Sequence, residues 1–370
     1  MTNEEKKQFI IDAHCLYMGF RPYDGGISLD EMKKREDTFW EVYASSFYHL
    51  LPKSVFKYRK PTEEAIKNLE NDVAWFSHPA DFDDTVDSAI NNDIESELDE
   101  FEKQPEIITL KLAKAFINAF AASKGVTVDE KQIEEAFPLF NKDGTFNEED
   151  AKTYLEKKMP GNATDECISR LKENTSKVVN DKVIDSVKGF LMNYIDLNQR
   201  TRNEALVFSL AEENDNQAMW GLYADESKGF CIEYEFPCNT FLGQRMLLNL
   251  FPIYYGEKPL INFFDVLIKG LYSKNQINGI SYDDYKEWFL SAYTKDKTYE
   301  FQKEWRITFD KVMGGNLQSF PFAKSVILGE RMSEENKKRL IEIARKKNIK
   351  VFIRKVNKTG SKIVVEQLLC

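Results

Sequence analysis

Glu304 and Arg306 are the first residues in this sequence whose type and spacing could do chemistry. The run YEFQKEWRITFD (299–310) alternates, with Glu304, Arg306 and Thr308 on one set of positions and Trp305, Ile307 and Phe309 on the other. Alternation with a period of two marks a strand with one buried face, so a carboxylate and a guanidinium project from it together. Such a pair is either a salt bridge within a sheet or a site-facing pair in which the guanidinium orients the acid. A second stretch, FSLAEENDNQAMWGLYADESKGFCIEYEF (208–236), reads as a strand, a polar turn, a short helix and a glycine-led strand. Ser209 closes the first strand, and the helix carries Met219, Trp220 and Tyr223. An aromatic core stripe accounts for these residues. A pocket wall with Ser209 and Tyr223 beside it accounts for them equally.

Other chemistries are poorly supplied. The histidines are His14, His49 and His78; the first two fall within helical patterns and His78 ends a strand before Pro79, where a capping role is the default. No HExxH or deaminase zinc pattern occurs, nor a P-loop or a Gly-x-Gly-x-x-Gly fingerprint. The run Asn141–Lys142–Asp143–Gly144–Thr145 resembles part of a calcium loop, but aligning Gly144 with the turn glycine puts Leu139 at the first ligand position. A turn between helices explains it, and no metal is expected.

These residues need elements to hold them. Phe9, Ile10, Ala13, Leu16, Tyr17 and Phe20 form one helical stripe, PYDGG breaks the chain, and Ser28 with Glu31 has capping-box spacing before a second helix. Residues 1–54 are therefore expected to form a helical hairpin. Val55–Tyr58 and Val73–Phe76 read as strands around a helix over Pro61–Asn71. From 88 to 203 the periodicity is helical, which predicts an all-helical insertion. Strand signals return at Ala205–Leu210, Gly229–Phe236, Leu250–Tyr255, Trp305–Phe309, Ser325–Leu328, Ile349–Ile353 and Ile363–Glu366. Ser333 caps a helix running to about Lys347, and two further helices fill 259–275 and 282–294. The expectation is an α+β fold with a mixed or antiparallel sheet core over 55–87 and 204–370, interrupted once.

Composition bounds the partners. The chain has 370 residues, 42% hydrophobic and 30% charged, with a net charge of −10. Five cysteines without a CxxC pair argue against a disulfide framework and for a reducing compartment. With no signal peptide and no apolar run of membrane-spanning length, a cytoplasmic location is expected. The net charge conceals two opposed segments. Residues 81–106 hold eleven acids and one Lys, whereas 337–362 hold eleven bases and one acid. The basic segment leaves nucleic acid open as a partner, although a solvated helix face is the more common cause of such a run.

VFKYR (55–59), WFSHPADFDDTVD (75–87), FSLAEENDNQAMWGLYADESKGFCIEY (208–234) and KEWRI (303–307) occur in this order. Together they resemble the bacterial family known as domain of unknown function 2971, whose pattern is a KYR strand, an FS-P-FNDPFD turn, an FS-E…MW-HYA…KG-CI block and an EWR strand. Asp83, Thr85 and Leu222 depart from that pattern, standing where it has Asn, Pro and His. The resemblance covers about 55–87 and 204–330 and leaves out the hairpin and the insertion. It implies no activity.

A weaker resemblance, to the ADP-ribosyltransferase fold, lies in the order of a basic residue, a Ser and aromatic region, and a late Glu. It implies NAD as substrate: Arg59 on the pyrophosphate, Tyr223 against nicotinamide, and Glu304 stabilising an oxocarbenium-like transition state. Lys57, Tyr58, Ser209, Trp220 and Arg306 would line the cofactor site. An enzyme of this kind would be a toxin or antiphage effector acting on a macromolecular target. A binding or sensing module of the same family without catalysis is the alternative, and convergence of Arg59, Tyr223 and Glu304 on one cleft discriminates between them.

Overall fold

A computed structural model describes residues 1–20, 29–82, 84, 87–103, 147–158, 160–161, 163–178, 199–263, 266, 276–277, 280–309, 315–356 and 363–368, with single positions between 189 and 196. The calcium-loop-like run at 141–145, the PYDGG turn and the Ser28 cap lie outside these residues, as does much of the expected helical insertion. The chain divides into two compact units. One comprises Met1–Ala89, Arg200–Pro259 and Phe289–Cys370; the other comprises Ile90–Gln199 and Leu260–Trp288.

The first unit is built on strands β1 (Val55–Arg59), β3 (Leu206–Ala211), β4 (Phe230–Tyr234), β5 (Leu250–Pro252), β10 (Glu304–Phe309), β12 (Ala323–Leu328), β13 (Lys350–Val356) and β14 (Ile363–Gln367). They form one eight-stranded sheet in the order β14-β13-β12-β4-β1-β3-β10-β5. Neighbours run antiparallel except β12 and β13, which are parallel and joined by the helix Glu334–Lys347. Ser333 caps that helix by accepting from the Asn336 amide. The fold is therefore mixed α+β. The expected strand Leu250–Tyr255 is two pieces: the Ile253 amide still donates to the Glu304 carbonyl of β10, and from Tyr254 the chain turns to β9, so that β6 (Tyr254–Tyr255) pairs in parallel with β9 (Thr294–Lys295). A ribbon of β2 (Val73–Trp75) and β11 (Leu317–Ser319) stands apart from the main sheet. Thr62, rather than a Pro61 start, opens α3 (Glu63–Glu70), its hydroxyl accepting from the Ala65 amide.

The two faces of the sheet follow from alternation along the strands. Leu206, Phe208, Leu210, Phe230, Ile232, Trp305, Ile307, Val326 and Leu328 face the main core. Helices α1 (Asn3–Phe20), α2 (Leu29–Phe47) and α3 cover them through Phe9, Ile10, Phe39, Tyr43, Ile66 and Leu69. The expected hairpin segment over 1–54 falls within the first unit, with its apolar stripe buried against the sheet. The opposite face carries a smaller cluster of Tyr58, Ala211, Cys231 and Ile327 under the helix Gln217–Leu222.

Two departures from regularity matter for the site. First, β1 and β3 pair only at Phe56 and Ala211, and beyond that point Val207 exchanges both of its backbone hydrogen bonds with Ser77 instead. The sheet splits there. Second, β1 approaches the segment before β4 so closely that a Cβ on Gly229 would lie 2.1 Å from the Arg59 carbonyl oxygen. Gly229→Ala is expected to cost about 3 kcal/mol or more through this backbone clash, read as a loss of thermal stability.

In the second unit the described elements are the helices Ile94–Lys103, Glu148–Lys158 and Asp165–Val178, and a hairpin of β7 (Gln276–Ile277) and β8 (Ile280–Ser281). Glu97, buried, accepts from the Phe263 amide at 3.0 Å, so residues near 260 belong with this unit. No helix among the described residues is long and apolar enough to cross a membrane.

Candidate functional site

Glu304 and Arg306 do project together, as the alternation of β10 requires, and both are buried, at 5% and 2% exposure. Arg306 Nε donates to Glu304 Oε1 at 2.6 Å. Its Nη1 and Nη2 grip the two oxygens of Asp87 at 2.7 and 2.8 Å, a bidentate fork. Ser88, held at φ 55°, turns its hydroxyl to accept from Nη1 as well. The Phe82 ring lies 5.5 Å from the guanidinium carbon. The turn over 75–87 and the late EWR strand, distant in sequence, therefore meet at Arg306.

Lys295 completes the cluster. The β6–β9 pairing sets Lys295 beside Tyr255, and Lys295 Nζ reaches Glu304 Oε2 at 3.1 Å and Asp87 Oδ2 at 3.2 Å. Tyr255 accepts from the Glu304 amide through its hydroxyl oxygen at 2.8 Å. Burial pushes the Glu304 and Asp87 carboxyls up, but Arg306 and Lys295 outweigh it and hold both below the usual carboxylate range. Burial likewise works against the Lys295 ammonium, and Glu304 and Asp87 raise it above an ordinary lysine. Two anions and two cations thus neutralise one another inside the protein.

A polar path leads outward from this cluster. Lys295 donates to Gln302 Oε1 at 3.0 Å, and Gln302 Nε2 donates to the Tyr223 hydroxyl at 2.8 Å. Tyr223 is 43% exposed. Lys303 adopts a left-handed conformation between Gln302 and Glu304.

The other expected site residues fall elsewhere. Trp220 is fully buried; its Nε1 donates to the Asn214 carbonyl, and its ring packs edge-on against Tyr58 at 5.4 Å. Tyr58 is itself buried, and its hydroxyl donates to the Glu213 carbonyl. Both are core residues and neither presents a ring to a cofactor, so the stripe of 219–223 is packing up to Trp220. Arg306 is committed to Asp87, Ser88 and Glu304, which corrects its expected role as a cofactor contact. His78 Nδ1 lies 3.0 Å from the Ala205 carbonyl oxygen and ties a strand end.

Arg59 and Lys57 lie on the core face of β1, opposite to Tyr58, because alternate residues of a strand point to opposite sides. Arg59 therefore does not converge with Tyr223 and Glu304. Instead the Lys57 ammonium and the Arg59 guanidinium both stand over the Phe208 ring, at 4.8 and 5.9 Å from its centroid. Lys57 Nζ also donates to the backbone carbonyl of Ser209 at 2.5 Å, the oxygen that β1 leaves unpaired at the split. Among the described residues neither cation has an ion pair with a carboxylate. Burial lowers the Arg59 guanidinium from its ordinary value, with Tyr234 and Glu64 offsetting this in part. Burial also lowers Lys57, to about 7, with Arg59 adding to the effect.

Asp87, Ser88, Lys295, Gln302 and Tyr255 were not singled out from sequence. Only Asp87 and Gln302 carried a signal: Asp87 ends the motif turn, and Gln302 precedes Glu304 by two.

No curated protein and no solved structure matches the chain. A family model described as Protein of unknown function (DUF2971) matches residues 219–307. That span holds Tyr223, Tyr255, Lys295, Gln302, Glu304 and Arg306, whereas β1 and the turn over 75–87 lie outside it. Over residues 219–307 the chain is similar to that family.

Proposed function

We propose that this chain is a ligand-binding or sensing module whose site is the split between β1 and β3, and that its ligand is a small phosphate-bearing molecule of the NAD type. The observation that carries this reading is the contrast between the two charged centres. Every charge around Glu304 is matched, whereas among the described residues Arg59 and Lys57 have no carboxylate partner. A half-buried guanidinium without a counterion gains most from an incoming anion, and its planar fork suits phosphate oxygens. Glu304, buried and held by Arg306 and Lys295, has no unengaged side toward a sugar.

A second reading keeps the NAD-consuming ADP-ribosyltransferase, as a toxin or antiphage effector. One observation favours it: the path from exposed Tyr223 through Gln302 and Lys295 to Glu304. Incubation of the protein with radiolabelled NAD and cell extract separates the two. The module reading expects NAD binding without nicotinamide release or label transfer. Turnover abolished by Glu304→Gln would establish the enzyme.

A nucleic-acid role for the basic segment has less support. Lys337, Arg339, Lys346 and Lys347 are paired with Glu334, Glu63, Glu342 and Asp72. Binding to RNA or DNA, if a titration finds it, should be weak and fall steeply with salt.

A further inference from the structure

We infer that Lys57 is an amine nucleophile, and that it forms an imine with a carbonyl compound whose anionic group is held by Arg59. The inference rests on the anion-site reading above and adds a covalent step to it.

Two features mark Lys57. It sits at the split, where its Nζ replaces a missing strand–strand hydrogen bond to the Ser209 carbonyl. A neutral amine makes that bond with one N–H and keeps its lone pair available. Its surroundings also disfavour the ammonium form. Arg59 stands on the same strand and the same face, and Phe208 from β3 offers only a ring. From β10, Glu304 favours the charged form and Arg306 disfavours it, but Glu304 is already bound by Arg306 and Lys295. Burial and Arg59 together bring Lys57 to about 7, so much of it is neutral at physiological pH. A desolvated lysine beside a second cation is a recurring way to make a nucleophile. Lys295 is the opposite case, flanked by two carboxylates and held protonated.

The step balances without an oxidant or reductant. The Nζ lone pair adds to the carbonyl carbon, the carbonyl oxygen takes up protons and departs as water, and a C=N bond replaces C=O. A ligand that carries both an aldehyde or ketone and a phosphate or carboxylate would meet Lys57 with one end and Arg59 with the other.

The test uses the full chain, with pyridoxal 5′-phosphate as an anionic aldehyde and pyridoxal as its uncharged counterpart. Brief exposure is followed by borohydride reduction and peptide mapping. Lys57 should carry most of the label, with about tenfold or greater preference for the phosphorylated probe, as a charge-assisted contact to Arg59 implies. Labelling of Lys57 should level off above about pH 7. Lys57→Arg should lose the label and keep its circular dichroism spectrum. Label spread over exposed lysines with Lys57 not enriched would overturn the inference. Failure at Lys57 alongside intact NAD binding removes the amine and leaves the anion site standing. Equal labelling of Lys57 by both probes removes Arg59, and the anion-site reading with it.

Discussion

Arg306→Met is expected to destabilise the first unit by about 3–5 kcal/mol, a fall in melting temperature on the order of 10 °C. The substitution keeps an unbranched apolar side chain and removes the fork, with its place over the Phe82 ring. Asp87 and Glu304 would then share Lys295 alone, and two buried carboxylates would face each other with one cation between them. Breaking one member of a buried ion cluster is costly for this reason, even where an apolar replacement of the whole cluster would be neutral. Acid should expose the same linkage. The folded carboxyls are held below their ordinary values, so their stabilisation is complete above the unfolded-state pKa of about 4 and is lost as pH falls through the folded values. The gap in melting temperature between wild type and variant should therefore be widest at neutral pH and shrink below about pH 4. Thermal denaturation of both proteins across that range checks it. A gap that does not change with pH would mean that Asp87 and Glu304 are not the partners.

Arg59→Met should do the reverse: lose ligand and keep the fold. The methionine places an apolar side chain beside Phe208 and removes a half-buried charge that has no carboxylate partner among the described residues. Stability should be unchanged or raised by up to about 1 kcal/mol, because an uncompensated buried cation is a cost. Affinity for a phosphate-bearing ligand should fall about ten- to a hundredfold, the worth of one or two charge-assisted hydrogen bonds. Calorimetry and a melting curve on the same samples read both effects. Functional sites often hold strain or unmatched charge that the fold would shed. A variant that loses ligand and stability together would mark Arg59 as a structural residue.

How much of this was legible in the sequence depends on whether the signal was local. The alternation of 304–309 gave both the strand and the joint projection of Glu304 and Arg306. The 208–236 block gave a strand, a short helix and a returning strand within a few residues of their observed ends. The alternation of 55–59 likewise implied that Lys57 and Arg59 share a face from which Tyr58 is excluded. Placing Arg59 with Tyr223 and Glu304 ignored that constraint, and the strand order that sets which face matters is not local. Nothing near Arg306 in sequence names Asp87 as its partner, because an ion pair across 219 positions leaves no periodic trace. Lys295 was hidden for a related reason: its place beside Tyr255 comes from a two-residue parallel pairing too short to show a pattern. The aromatic stripe misled at Trp220, whose indole N–H is satisfied by the Asn214 carbonyl inside the core and not by a ligand.

The most direct test of the central claim is a calorimetric titration of the intact chain with NAD and, in parallel, with nicotinamide riboside, which lacks the pyrophosphate. The split-sheet site predicts saturable binding of NAD that weakens with salt, and no measurable binding of the riboside. Equal binding of the two compounds, or NAD binding that Arg59→Met leaves untouched, would contradict it.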